Sequence, residues 1–468
     1  MVPFFPKQVS YRAIITYLIS LAIVSVMYFR YAMGIGYILL GITFVSGFFI
    51  LSNRWTISWS AYPEKRFLRD VFLAAVILRL AWVVASYFYY LNATGQPFEF
   101  DAMDSVGYHD SGLWMYVEPW SVAFNAFFGP DSVSVSDSGY ALYLTLIYKI
   151  FGPVIIIPRI LKAFISSFMC ILVYKLASRT FDEKTGRMAA IMCALMPNLI
   201  IYCGYHLKET EMIFLEMAFL ERTDYAIRKK TIRIVDLILP TLLAGSLFLF
   251  RTVLGAAAIF SFATAILLSS APTMKKNMRR LAFAGWGILM MLVLSGGTIM
   301  TEAEGYWEAK SDNMAQRRME QTMRGNRWAQ YATGAVMAPM VFVLPFATMV
   351  DVDQQYAQQE KSGGNFIRNF MGFFALLGIY ESIRRKQWRD FSLIGSFVIA
   401  YLGIVSLSAF SNSERFLLPG LPCLILIWSY GISTLRKSTF KLLKPWGFVV
   451  ILMEVAWAYF KLGSRGLF

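Results

Sequence analysis

The stretch "FEFDAMDSVGYHDSGLW", residues 98–114, gathers Glu99, Asp101, Asp104 and Asp110 around His109, one of only two histidines in the chain. Two carboxylates crowded into one site raise one pKa and leave the other ionised as a base, or else recruit a divalent cation. If this segment is helical, Tyr108 lies one turn on from Asp104 on the same face, and Asp101 shares that side three residues earlier. The second histidine stands in "YCGYHLKETEMIF", which supplies His206, Lys208, Glu209 and Glu211. Both histidines therefore sit beside carboxylates, in separate stretches.

Cations in apolar surroundings form the third group, and such residues are costly and usually functional. They are Arg79 in "VILRLAW", Arg251 in "LFLFRTVLG" and Arg415 in "SNSERFLLPGLPCLILIW". Arg251, Arg415 and Lys208 suit an anionic headgroup, most simply a phosphate, whose oxygens match the planar fork of arginine. Acids for a proton and cations for a phosphate describe the transfer of a group from a lipid phosphate.

The elements that must position these residues are membrane helices. Of 468 residues, 57% are hydrophobic and only 16% charged, with a mean hydropathy of +0.54. A soluble chain carries about a quarter charged residues, whereas a bilayer span needs about 20 apolar ones. The composition predicts an all-α polytopic membrane protein with one transmembrane domain over residues 1–468. No small-residue cleavage pattern comes after the first apolar run, which leads into Arg30 and Tyr31. The four cysteines fall in apolar runs without metal-ligand spacing and read as packing residues.

Charge sets the orientation. Seven basic clusters separate the apolar runs: 7–12, 54–69, 175–187, 222–233, 275–280, 384–389 and 436–444, with 27 of the 44 Lys and Arg residues. Placing them all in the cytoplasm satisfies the positive-inside rule. The net charge of +15 is then a topology signal, and nucleic-acid binding is excluded for want of basic-aromatic interleaving in a polar domain. Spans are expected near 11–29, 33–52, 70–92, 154–176, 188–205, 210–226, 234–250, 253–270, 281–298, 365–383, 391–409, 415–434 and 445–460, about 13 helices. The loops 93–138, 204–211, 299–364 and 410–415 then face outward.

Loop 93–138 holds seven acidic residues and no Lys or Arg. Its "GLWMYVEPWSVAFNAFFG" reads as an amphipathic segment on the membrane surface, with Trp114 and Trp120 at headgroup level. Loop 299–364 begins with a charged stretch holding Arg317, Arg318, Arg324 and Arg327, and continues through Pro339 and Pro345. It is expected as a surface-lying cap.

"DSVGYHDSG" resembles the D-x-x-x-Y-H element in the first external loop of the GT-C superfamily of membrane glycosyltransferases, which includes the protein O-mannosyltransferases and the lipid A aminoarabinose transferases. "GYALYLTLIYKIFG", with the stretch from "PRILKAFISSF" to "YCGYHLKE", is similar to the region after that element in many bacterial members. "SERFLLPGLPCLIL" resembles the late E-R-F/Y-x-x-P-x-x-P signature. The likeness covers roughly residues 70–260 and 365–435, with two extra spans in residues 1–69 and no large soluble C-terminal domain. It implies a GT-C bundle and an inverting transferase in the bacterial cytoplasmic membrane, its site facing the periplasm or exterior. The donor would be a polyprenyl-phosphate-linked sugar and the acceptor a glycan, lipid or protein. The family's catalytic aspartate maps onto Asp104, with Asp101 near enough to compete. A carboxylate there would take the acceptor proton. The leaving phosphate needs fixed cations or a divalent metal such as Mg or Mn. Lys208, Arg251 and Arg415 are the candidate cations, and Tyr108, His109 and His206 further binding residues. Glu209 either orients Lys208 or binds a metal with Asp104.

Two other classes share some of these features. A lipid-linked sugar flippase calls for an internal repeat and polar residues spread through the midplane, and no clear repeat is visible. An O-antigen polymerase or ligase relies on arginines and a histidine in later external loops. The acidic first loop favours a monosaccharide transferase. If 93–138 is external, a cysteine placed at Ser132 will react with an impermeant maleimide in intact spheroplasts, and labelling only after permeabilisation would overturn the orientation.

Overall fold

The computed structural model describes residues 4–128, 137–229, 233, 235–268, 285, 340–352, 355–407 and 413–467. Apolar runs without internal proline build its first helices, α1 (Lys7–Met27), α2 (Ile35–Ser58) and α3 (Glu64–Thr94). Two short helices come next, α4 (Met103–Val117) and α5 (Trp120–Phe128), divided at Glu118–Pro119 because proline disfavours helix in the residue before it. After them stand α6 (Ser138–Phe151), α7 (Ile156–Thr180), α8 (Glu183–Leu195), α9 (Pro197–Ile201), α10 (Glu209–Arg228), α11 (Val235–Phe250) and α12 (Thr252–Leu268). The last group is α13 (Tyr356–Glu360), α14 (Ser362–Arg384), α15 (Ser392–Leu407), α16 (Glu414–Leu417), α17 (Gly420–Ser433), α18 (Lys437–Lys441) and α19 (Leu443–Gly463). Among the described residues there is no strand, only an isolated bridge between Ala32 and Val350.

Six of these helices are long and apolar enough to cross a membrane: α1, α2, α3, α7, α14 and the run Lys437–Gly463. Four shorter apolar helices, α11, α12, α15 and α17, accompany them. Among the described residues these ten helices match ten of the thirteen expected spans, and the count of thirteen is not confirmed. The span expected at 281–298 lies outside the described residues, apart from residue 285. Residues 299–339 of the expected cap, with Arg317, Arg318, Arg324 and Arg327, also lie outside them, as does Ser132. At the end of that loop Val343, Leu344 and Met349 are buried. Asn369 Nδ2 holds this non-helical backbone, donating to Val343 O at 2.6 Å and Pro345 O at 2.8 Å.

The span expected at 188–205 is not one helix. Pro197 has no N–H to offer the carbonyl of Cys193, four residues back, and α8 stops at Leu195. Arg79, fully buried in α3, takes over the abandoned acceptors. Its Nη2 donates to Cys193 O at 3.1 Å and its Nη1 to Ala194 O at 3.0 Å, while Nε donates to Ser166 Oγ at 2.7 Å. Arg79 is thus a helix cap supplied by a neighbouring helix. Beyond the break, Lys162 Nζ donates to Tyr205 O at 2.9 Å and also to Leu207 O. Gly204 lets this turn pass Trp82 and Ser86, where a Cβ would meet Ser86 Oγ at 2.5 Å.

The bundle has two chemically different ends. Six of the seven basic clusters meet at one of them; the seventh, 275–280, lies outside the described residues. Arg187 donates to Trp59 O at 2.9 Å and Tyr62 O at 2.8 Å, and Arg228 to Asp390 O at 3.1 Å. Arg179 pairs with Glu221 at 2.8 Å, Arg12 donates to Phe440 O at 2.9 Å, and Arg436 lies 3.8 Å from Glu381. At the opposite end the residues around 90–110, 199–211, 250, 360 and 414 converge.

Arg79→Met removes the donors that cap α8, leaving two buried carbonyls unpaired where lipid offers no substitute. The variant is expected to lose on the order of 3 kcal/mol of stability, by the usual penalty for unpaired buried polar groups. Unfolding in denaturing micelles measures this, and an unchanged midpoint would remove the capping role.

Candidate functional site

Three chain segments meet at the end away from the basic clusters. The first is α4, whose first turn carries Asp104, a favourable position for an anion at a helix N-terminus. The second is the start of α10, with Glu209 and Glu211 in its first turn. The third is the short α16, with Glu414 and Arg415.

Arg415 joins them. Its Nη1 donates to Asp104 Oδ2 and its Nε to Glu209 Oε1. Arg251, in the turn between α11 and α12, reaches the same Glu209 oxygen at 3.4 Å and the hydroxyl of Tyr401 at 3.2 Å. The buried Glu209 is therefore shared by two guanidinium groups, and the Asp104 side chain keeps 60% of its exposure. Lys208 lies beside this pair: it donates to Phe250 O at 2.5 Å and pairs with Asp137. Burial, then the nearby Arg251, pulls the Lys208 ammonium well below its usual pKa. The Tyr108 phenol is pushed up to about 12 by burial and then by Glu209.

A clamp fixes α16. Glu414 accepts from Asn198 Nδ2 at 2.5 Å and pairs with Lys361 at 2.9 Å. Arg368 donates to Leu417 O at 3.2 Å, and Tyr401 OH to Phe416 O at 2.8 Å. Arg251 also lies 4.2 Å from the centre of the Phe416 ring. Each residue flanking Arg415 is held by a different helix, so its guanidinium is aimed by the tertiary structure.

The histidines form a second group. The Tyr148 hydroxyl stands 2.8 Å from His109 Nδ1 and 3.2 Å from His206 Nε2. Burial lowers the pKa of both imidazoles, and Lys162 and Arg159 depress His206 further. Both rings are neutral near pH 7 and serve as hydrogen-bonding groups, not cations.

The sequence-predicted residues thus divide. Asp104, Glu209, Arg251 and Arg415 form one connected chain with Lys208 alongside, and His109 and His206 form a relay through Tyr148. Asp101 stands apart, exposed and with φ 60°, on the turn before α4. Arg79 is elsewhere. Asp137, Asn198, Tyr148 and Lys361 were not anticipated, because single polar residues in loops and helices carry no spacing signal. Arg159 and Lys162 did carry one: two cations three residues apart in "IIIPRILKAFIS" are as conspicuous as Arg79. The divalent cation expected between Asp104 and Glu209 does not fit this arrangement, since the Arg415 guanidinium binds both carboxylates. No group of three potential metal ligands occurs among the described residues.

No protein-family model matches the chain, and no curated protein matches it in sequence. Solved structures do. The archaeal oligosaccharyltransferase AglB from Archaeoglobus fulgidus, in complex with an inhibitory peptide and a dolichol-phosphate, aligns over 87% of this chain and 56% of its own, with a TM-score of 0.50 and 13% identity. The apo form of the Archaeoglobus fulgidus oligosaccharyltransferase aligns over 86% and 55%, with a TM-score of 0.51 and 12% identity. This chain has the GT-C fold. It spans just over half the length of these neighbours.

One carboxyl at this end titrates near neutrality. Glu360, at the end of α13, accepts from Tyr90 OH at 2.7 Å and Tyr205 OH at 3.0 Å, yet burial pushes its pKa up to about 7. The folded state therefore holds this proton more tightly than the unfolded chain does. The stability it contributes is fully present below the unfolded carboxyl pKa and is lost as pH rises through about 7. Wild type is expected to melt progressively lower than Glu360→Gln between pH 5 and pH 8. Parallel melting curves for the two proteins across that range would remove the assignment.

Proposed function

We propose that this chain transfers a sugar from a polyprenyl-phosphate carrier to an acceptor hydroxyl on the external face of the cytoplasmic membrane. The observation that carries the reading is the Arg415 guanidinium bound to Asp104 and Glu209 at the end of the bundle remote from the basic clusters. Those clusters face the cytoplasm by the positive-inside rule, which turns the Asp104 end outward. The GT-C fold supports lipid-linked glycosyl transfer as the reaction class. The dolichol-phosphate in the AglB complex supports a lipid phosphate as the donor's carrier.

In this reading the donor phosphate competes for the guanidinium of Arg415. Asp104 is the more exposed of its two partners, 60% against 0% for Glu209, and so is the one displaced. Donor binding then frees the base. Asp104 takes the proton of the acceptor hydroxyl as that oxygen attacks the anomeric carbon. The new glycosidic C–O bond forms as the anomeric C–O bond to phosphate breaks, with inversion, and the phosphate leaves with the bonding electron pair. Arg415 and Arg251 stabilise the charge developing on it, with Lys208 beside them. Glu209 holds both arginines in register throughout. Tyr108, one turn from Asp104, together with His109 supplies neutral hydrogen bonds to sugar hydroxyls. Asp101 is at most a supporting carboxylate.

Asp104→Asn keeps the side-chain size and removes the basicity, so transfer of radiolabelled sugar from a synthetic polyprenyl phosphate donor to extracted glycolipid should fall on the order of 100-fold or more. Asp101→Asn should lose far less. Arg415→Ala should weaken donor use, and Arg415→Lys should restore only part of it, because a point charge lacks the fork. Full transfer by Asp104→Asn, or formation of no glycosidic bond by the wild type, would sink the proposal.

A further inference from the structure

Behind the Arg415 chain lies a second polar group that the proposed reaction leaves unused. Arg159, in the first turn of α7, is fully buried, and its Nε, Nη1 and Nη2 have no hydrogen-bond partner. The carboxylate that faces it, Glu99, stands at 3.8 Å. Glu99 is already engaged, accepting from Ser105 Oγ through one oxygen and from the His206 backbone N–H at 3.3 Å through the other. The Tyr140 hydroxyl and His206 Nδ1, on fully buried side chains, are also without partners. These groups are neighbours. The His206 ring lies 6.2 Å from that of Tyr140 and 5.9 Å from that of Phe98, and Phe98 lies 6.0 Å from the Arg159 guanidinium carbon.

The balance of donors and acceptors says what belongs there. A guanidinium carries five N–H groups and a phenol one O–H, and neutral imidazole adds an N–H when its other nitrogen accepts from Tyr148. On the acceptor side, Glu211 Oε2 lies 3.7 Å from Lys162 Nζ, and neither Glu211 oxygen has a hydrogen-bond partner. Buried polar groups in native proteins are almost always paired. A guanidinium flanked by unused donors, whose nearest carboxylate stands at 3.8 Å, beyond hydrogen-bond reach, is paired most strongly by an oxyanion that accepts its planar fork. We propose that Arg159, His206 and Tyr140 form an enclosed site for a carboxylate or phosphate group, separate from the cations around Arg415. Phe98 closes it. This residue sits on the connection 95–102 between α3 and α4 and is 7% exposed. The site stands on unpaired groups alone and holds whether or not the chain is a transferase.

Binding to the purified full-length chain in detergent tests it. Melting temperature is followed against inorganic phosphate and, separately, against glucuronate, with chloride at matched ionic strength as reference. Arg415→Ala weakens the first cation site, and stabilisation by either anion that persists in this variant and responds to a change at Arg159 reports the second. Arg159→Lys should then require about tenfold more anion, since it retains charge without the fork. Response to phosphate alone points to a phosphorylated ligand, and response to glucuronate alone to an acidic sugar. If Arg159→Lys fails to fold, Tyr140→Phe carries the same test with a smaller loss. Unchanged affinity in whichever of these variants folds, or no stabilisation of Arg415→Ala beyond that of chloride, would mean that water alone satisfies these donors and would overturn the site.

Discussion

One guanidinium organises the acidic end of this protein. Arg415 bridges Asp104 and Glu209, residues 311 and 206 positions away in sequence. It thereby ties the helix after the third span to the start of α10 and to the loop entering α17. A buried carboxylate is strongly disfavoured unless paired, and Glu209, fully buried, is held by both Arg415 and Arg251. The same pairing that makes the buried acid tolerable holds both arginines in place. In the proposed reaction, structural neutralisation and anion binding are alternative uses of this one charge set, and the exchange between them frees the more exposed carboxylate.

The membrane setting explains why so much of the remaining polar chemistry is paired side chain to backbone. Lipid offers no hydrogen bonds, so irregular backbone at membrane depth must be satisfied by protein. Arg79 does this for the end of α8, Lys162 for the turn at 205–207, and Asn369 for the buried stretch at 343–345. Each of these three irregular stretches is therefore accompanied by a polar side chain from another helix. The break at Pro197 matters most. By ending α8 early it lets residues 202–208 turn across the bundle, which brings His206 and Lys208 within reach of α4, α6 and α11.

Residue types and their order were enough to specify the class of the protein. Apolar runs with basic residues between them specify membrane helices, and most of the expected spans coincide with observed helices to within a few residues. They were also enough to pick out the candidates, because an ionisable group in an apolar stretch is conspicuous whatever the fold. They did not say what each candidate does. Arg79 and Arg415 look alike in sequence, each a single arginine in apolar company, but one caps a broken helix and the other bridges carboxylates at a surface. Asp101 and Asp104 are three residues apart, and only Asp104 meets the guanidinium, because α4 begins between them and turns their side chains apart. The partners of Arg415, and Asn198 beside Glu414, lie on helices hundreds of residues away, and local periodicity carries no information about which distant groups a bundle brings together. Those pairings come from the packing of the helices, since the free energy of a buried charge depends on what stands a few ångströms from it and not on its neighbours in the chain.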